Sequence, residues 1–239
     1  MAHDEELEQR KVCKDLTAKF ATTFSAITTA LRDMKAEDGS SLYHVHWEVC
    51  NTHEHGIPHH RERLYIVGLL ASNVLRPFRF PATTSFFVPL GSILSDQTEC
   101  EHGGHACHTA AKNIVTALNH IEANGGAAES EEWIINTGGV KSHCMKDLCP
   151  CITKRRGEGR LFFTAKRQRF ITVSEMMLLQ GVDPSTFRGW ELYLSRPQMG
   201  AIVGNSMSLN VMERIVRHVL HSLGYPVSLP VSDSEPRDF

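Results

Sequence analysis

The chain has 239 residues, of which 41% are hydrophobic and 22% charged, and its formal net charge is −2. Because this total is near neutral, any attraction for nucleic acid must come from a local basic patch. No apolar run reaches the roughly 18 residues that span a bilayer, and the charged N-terminus lacks the apolar core of a secretory signal. The odd count of seven cysteines indicates reduced thiols, so we expect an intracellular protein with no membrane partner.

The first part of the chain predicts a helix followed by a hairpin. Apolar side chains recur every three or four residues from Leu16 to Met34, which predicts an amphipathic helix with Asp15 as its N-cap. Tyr43–Val49 alternates apolar and polar residues and therefore predicts a half-buried strand. A turn containing Gly and Pro separates it from a near-continuous apolar strand, Arg63–Ala71.

The remaining sequence divides into three parts. Residues 72–168 are rich in Pro, Gly, Cys and His, and apart from a helix over Thr109–Ala123 they predict an irregular, loop-rich subdomain. Residues 169–224 become regular again, with Thr172 and Glu175 spaced as a capping box. We predict a Gly-Asn-Ser turn at 204–206 that opens the last helix, over 206–223, where it could offer N–H groups to a ligand or act as an ordinary cap. Residues 225–239 are expected to form a flexible tail.

One segment carries most of the local positive charge. Lys154–Arg169 holds seven basic residues and one acidic residue, interleaved with Phe162 and Phe163. Such a segment attracts a phosphate backbone, although a solvated charged loop has the same composition.

Two cysteine-containing stretches are weaker candidates. Cys100–His108 holds two cysteines and three histidines, but the spacing matches no closed zinc site, so chance enrichment is favoured and no metal is predicted. Cys149-Pro150-Cys151 precedes three basic residues that could lower a thiol pKa, but a structural or merely exposed cysteine is the more common case.

The order of three blocks resembles the C-terminal part of a DNA (cytosine-5) methyltransferase. HGIPHHRERLYIVG, from His55, is similar to that family's Gly-[Val/Ile]-Pro-Gln-x-Arg-x-Arg motif and the strand after it. RFITVSEMMLLQG, from Arg169, resembles Arg-x-Leu-Thr-x-x-Glu-x-x-x-Leu-Gln-Gly. VGNSMSLNVMERIV, from Val203, resembles the terminal Gly-Asn-[Ala/Ser] motif and its helix.

The resemblance implies an α/β fold, a partial Rossmann-like S-adenosylmethionine-dependent methyltransferase sheet with a small loop-rich target-recognition subdomain. Residues 1–71 would be a partial catalytic domain, 72–168 the recognition subdomain and 169–224 the return to the catalytic domain. The implied cofactor is S-adenosylmethionine, and the implied partner is double-stranded DNA.

The resemblance also assigns roles to single residues. Arg61 and Arg63 match the arginines that line the pocket for a flipped cytosine, with Arg63 donating to the base carbonyl. Gly204, Asn205 and Ser206 match positions near the cofactor. The positions expected to contact DNA are His59, Thr153, Lys154, Arg155, Arg156, Arg160, Lys166 and Arg167.

The chain departs from the family pattern in ways that predict no methylation by this chain alone. His59 stands where the motif has Gln, and the family's cofactor loop, Pro-Cys nucleophile loop and Glu-Asn-Val are not found. Cys151 follows the Arg-x-Arg block, which argues against it as the nucleophile. The missing groups would come from a second chain or an N-terminal segment, and the expected compartment is the nucleus in a eukaryote.

Four functional hypotheses follow from this pattern. The first is a catalytic family member of which this chain is the C-terminal portion. The second is a non-catalytic DNA-binding or regulatory module, and the third is a degenerate remnant that binds nothing. The last is a metal-binding interaction module built on Cys100–His108.

Overall fold

The computed structural model describes residues 21–96, 108–139 and 142–230. Helix α1 covers residues 21–33, and the expected start of this helix, with its cap at Asp15, lies outside the described residues. Strands β1 (Tyr43–Asn51) and β2 (Glu62–Leu70) form a two-stranded sheet, which confirms the predicted hairpin. On β2 only Tyr65 and Leu69 are buried, so this strand is more exposed than its apolar sequence predicts.

The middle of the chain is more regular than its composition predicts. After the short helix α2 (Leu90–Ile93) and helix α3 (His108–Ala123), four strands form an antiparallel sheet in the order β4-β3-β5-β6. The strands are β3 (Trp133–Asn136), β4 (His143–Lys146), β5 (Phe162–Thr164) and β6 (Arg169–Phe170). The expectation of an irregular region is therefore wrong for this segment.

Burial on both faces explains why the sheet has no alternating sequence pattern. On β3, Ile134 packs into a core with Phe162 and Met176, whereas Ile135 packs into a second core with Ile121 of α3. Both isoleucines are fully buried. Because strands covered on both faces lack polar residues at every second position, their short apolar runs give no clear strand signal.

Four further helices follow: α4 (Lys154–Glu158), α5 (Val173–Leu178), α6 (Arg196–Asn205) and α7 (Leu209–Ser222). The predicted capping box is present, because the Thr172 hydroxyl accepts from the Glu175 N–H while the Glu175 carboxylate accepts from the Thr172 N–H. The predicted last helix is present but begins at Leu209, and the predicted turn at 204–206 is wrong. Ser195 caps α6, which continues through Asn205, so the Gly-Asn pair ends a helix.

The chain forms two compact units. One contains residues 21–48, Leu64–Arg79 and His218–Ser228, and it leaves the large apolar residues Trp47 and Leu64 48% and 46% exposed. The other contains Val49–Arg63, most of Phe80–Arg217 and the larger core. The domain boundaries expected from the sequence stay a prediction. Within the described residues, no helix is both long and apolar enough to cross a membrane.

Candidate functional site

The candidate site lies in the larger unit and is organised by the buried side chain of Arg61, which is 4% exposed. Its Nη1 donates to the Ile152 carbonyl at 2.5 Å and lies 3.5 Å from the Gly204 carbonyl. Its Nη2 donates to the Ser206 carbonyl at 2.6 Å. One guanidinium therefore joins the Arg-x-Arg block, the Cys-Pro-Cys segment and the Gly-Asn-Ser segment, which are far apart in the sequence.

Arg63 reaches the same place from a more exposed position. Its Nη2 lies 3.5 Å from the Cys151 Sγ, and the Nη1 of Arg61 lies 3.8 Å from the same sulfur. The two guanidinium groups thus face one side, as the period-two spacing predicts. Arg61 is held by backbone carbonyls, whereas the half-buried Arg63 has one backbone partner, the Glu62 carbonyl at 2.6 Å.

His59 lies next to this site, contacts Ile152 and has none of its surface exposed. Its Nδ1 lies 3.0 Å from the Leu179 carbonyl, so Nδ1 carries the proton, and its Nε2 accepts from the Ile152 N–H at 3.0 Å. Burial, together with the nearby positive charge of Arg61, lowers the pKa of His59 to about 3, so the ring is neutral at physiological pH. Both ring nitrogens are thus engaged inside the protein, and the DNA contact expected for His59 stays a prediction.

A second buried network ties the same segments together through Gln180. Its Nε2 donates to the Val203 carbonyl at 3.1 Å, and its Oε1 accepts from the Ser208 hydroxyl at 2.8 Å. The Ser208 hydroxyl also lies 2.6 Å from the Thr52 hydroxyl. These paired polar groups fix the end of α6 relative to the residues that precede the Arg-x-Arg block.

The basic segment splits into an exposed part and an ion-paired part. Lys154 and Arg155 are exposed on α4, beside the half-buried Thr153. Arg156 is half-buried and donates to the Cys151 carbonyl at 3.0 Å.

The other expected DNA contacts have different surroundings. Lys166 pairs with Glu132 at 3.0 Å, and Arg167 pairs with Asp96 at 3.0 Å and with Glu132. Arg160 is half-buried in a left-handed conformation, with φ of 49°. Lys154 and Arg155 are exposed, whereas Lys166 and Arg167 are in ion pairs with carboxylates.

The three residues expected near the cofactor differ in exposure. Gly204 is buried, Ser206 is half-buried, and Asn205 is exposed at the end of α6. The Ser206 hydroxyl donates to the Val203 carbonyl at 2.7 Å, which leaves its oxygen able to accept a further hydrogen bond. The Asn205 amide and the Ser206 oxygen are therefore polar groups at the end of α6 that could bind the polar groups of a ligand.

The two cysteines of the Cys-Pro-Cys segment have opposite environments. Cys149 is fully buried, and burial raises the pKa of its thiol. Cys151 is half-buried beside the two guanidinium groups. Among the described residues no group of three His, Cys, Asp or Glu could hold a metal ion, and Cys100–Cys107 lie outside them.

The family described as C-5 cytosine-specific DNA methylase matches residues 16–221 of the chain. The chain belongs to this family. The methylase chain is 30% identical over 171 residues to the type II methyltransferase M.NgoBI of Neisseria gonorrhoeae, covering 72% of this chain and 49% of the relative. It is also 25% identical over 201 residues to M.HaeII of Haemophilus aegyptius, covering 84% and 56%.

A solved structure supports the same fold. The methyltransferase EhMeth of Entamoeba histolytica aligns with a TM-score of 0.50 and 15% identity, covering 76% of this chain and 55% of that one. The methylase chain thus has a mixed α/β fold consistent with a partial Rossmann-like methyltransferase. It spans about half the length of the curated relatives that it matches.

Proposed function

We propose that this chain is the DNA-recognition and base-pocket portion of a DNA (cytosine-5) methyltransferase. The observation that carries the proposal is the buried Arg61 side chain, which joins the Ile152, Gly204 and Ser206 carbonyls. Methyl transfer to a flipped cytosine requires three parts close together: the arginines of the base pocket, the DNA-recognition segment and the residues that contact the cofactor. In this proposal Arg61 joins these three parts, because it binds the carbonyls of Ile152, Gly204 and Ser206.

The two arginines have different tasks in this proposal. Arg61 orders the pocket, because its guanidinium donates to backbone carbonyls of two distant segments. The guanidinium of Arg63 is half-buried beside Cys151 and has N–H groups beyond those that bind Glu62 and Cys151. These N–H groups could donate to the carbonyl oxygen of an extruded cytosine. His59 joins the Leu179 carbonyl at the end of α5 to the Ile152 N–H, and it would act on DNA only by positioning the backbone before α4.

The cofactor wall would be formed by Asn205 and Ser206. S-adenosylmethionine supplies the methyl group in this family, and these two side chains would hold its polar groups at the end of α6. The thiolate that adds to C6 of cytosine, which the family takes from a Pro-Cys loop, would come from another segment or a second chain. The chain alone would then bind DNA without methylating it.

A partner surface is consistent with the exposed apolar residues of the smaller unit. Trp47 and Leu64 leave about half of their surface in solvent, and within the described residues their sheet has two strands, fewer than the three or more that usually make a sheet stable by itself. We infer that the missing portion of the methyltransferase fold covers them, and that the protein acts inside the cell, in the nucleus if the cell is eukaryotic. A monodisperse monomer in light scattering would count against a partner.

DNA binding by α4 gives the direct test of this proposal. In fluorescence anisotropy with a labelled duplex, we expect the double variant Lys154→Ala/Arg155→Ala to bind more weakly. The slope of log affinity against log salt should fall by about 0.9 for each phosphate that the variant no longer neutralises. Lys112→Ala removes an exposed cation from α3 and is the matched control, with an unchanged slope expected. Equal slopes in all three proteins would exclude α4 as the DNA-binding element.

A further inference from the structure

Helices α4 and α6 meet backbone to backbone through three buried glycines, Gly157, Gly200 and Gly204. A Cβ atom built on Gly157 would lie 2.0 Å from the Gly200 carbonyl oxygen, and one built on Gly200 would lie 2.3 Å from the Gly157 oxygen. A Cβ on Gly204 would lie 2.3 Å from the Thr153 oxygen. The obstructing atoms belong to the main chain, so no side-chain rotation can relieve these clashes.

The glycines of α6 are four residues apart and so lie on one face of the helix. That face is turned toward Thr153 and Gly157, the two ends of the turn that carries the exposed Lys154 and Arg155. Arg61 closes the same junction from the side, because it binds both the Ile152 and the Gly204 carbonyls. The missing Cβ of Gly204 thus faces Thr153, which gives this glycine a task other than contact with a cofactor.

We propose that Gly157, Gly200 and Gly204 are positioning residues that set the DNA-facing turn of α4 against α6. Any side chain at these positions forces the two backbones apart and shifts Lys154 and Arg155 relative to α6. This inference rests on the proposed function, because the position of α4 affects DNA binding only if α4 binds DNA.

Trypsin digestion tests the packing of α4 on α6 without DNA. Lys154 and Arg155 are cleavage sites within the turn, and Lys112 on α3 is a reference site in the same unit. In Gly200→Ala we expect cleavage after Lys154 and Arg155, relative to cleavage after Lys112, to rise by about tenfold or more, since local opening controls proteolysis. A merely global loss of stability would accelerate cleavage at all of these sites and leave the ratio unchanged.

Two glycines serve as controls for the alanine substitution itself. A Cβ on Gly68 meets no atom within 4 Å, and one on Gly159 meets no atom of α6 among its three nearest neighbours, the closest being the Leu161 side chain and the Arg155 carbonyl at 3.1 and 3.2 Å. We expect Gly68→Ala and Gly159→Ala to keep the wild-type cleavage ratio. If Gly200→Ala does not fold, Gly204→Ala replaces it, because the last turn of α6 can shift more readily. An unchanged ratio in the folded glycine variants of α6 would overturn the inference.

The DNA measurement separates this inference from the function on which it rests. In the anisotropy assay, Gly200→Ala should lower the salt slope, whereas unfolding of part of the sample would lower only the active fraction. A raised cleavage ratio with a wild-type salt slope would overturn the positioning role and leave DNA binding by α4 intact. Failure of the wild-type chain to bind DNA would overturn both.

Discussion

Arg61→Met should lower the free energy of unfolding by about 3–5 kcal/mol, which is a large part of the stability of an ordinary domain. The substitution leaves the carbonyl of the buried Ile152 and that of the half-buried Ser206 without their charged donor. A buried polar group without a partner costs about 1–3 kcal/mol, and a hydrogen bond to a charged group contributes about 1.5–3 kcal/mol. Urea unfolding monitored by tryptophan fluorescence measures the loss.

Arg63→Met is the matched control for this experiment, because it makes the same chemical change two residues away. Arg63 is half-buried, and its backbone partner is the carbonyl of its own neighbour, Glu62. We expect the free energy of unfolding to change by less than about 1 kcal/mol. Similar losses in the two variants would contradict the assignment of Arg61 as the residue that holds the three segments together.

His59 should make the protein less stable as the pH falls below neutral. Its pKa is lowered to about 3 in the folded protein, mainly by burial and next by the charge of Arg61. The unfolded chain, with an ordinary pKa of about 6.5, takes up a proton that the folded protein excludes. The neutral ring of His59 therefore contributes fully to the free energy of unfolding above about pH 6.5, and this contribution is lost progressively as the pH falls toward 3.

Between pH 7 and 5.5 this linkage should cost about 1.3 kcal/mol of unfolding free energy, since one pKa unit corresponds to about 1.36 kcal/mol and the unfolded histidine is already partly protonated at pH 7. Burial also lowers the pKa of His46, which adds to the slope in the same direction, so the difference between the wild type and a His59 variant measures the part that is due to His59. His59→Gln keeps an uncharged polar side chain and should lose about this amount of pH dependence in urea unfolding over the same range, while the contribution of His46 remains. A wild-type profile as flat as that of the variant would show that His59 is not buried in neutral form.

The sequence predicts most of the elements that have a regular pattern. Helix α3, the hairpin of β1 and β2 and the capping box of Thr172 follow from spacing alone, because each has one face or one end in solvent. The sheet of β3 to β6 does not, because its short strands are covered on both faces. The sequence predicts a turn at 204–206, where the structure has the end of α6, because Gly-Asn-Ser suits either end of a helix. The residue that caps the start of α6, Ser195, lies ten residues before Asn205.

The site is predictable in its residues and less so in its contacts. The shared side of Arg61 and Arg63 follows from their spacing near a strand and needs no tertiary information, whereas their contact with the Cys151 sulfur joins distant segments. The burial of His59 depends on Leu179 and Ile152, which no local pattern could place against it. The spacing of Gly200 and Gly204 is visible in the sequence, but the partner Gly157 is not, since the packing joins distant segments.

Methyl transfer from labelled S-adenosylmethionine to CpG-rich duplex DNA tests whether this chain binds DNA without methylating it. At chain concentrations that saturate the duplex in anisotropy, we predict no labelled DNA above the level found without protein, because in the proposed function the attacking thiolate comes from another segment or a second chain. Clear turnover by the isolated chain would contradict the claim. Loss of that turnover in Cys151→Ser would then identify Cys151 as the nucleophile.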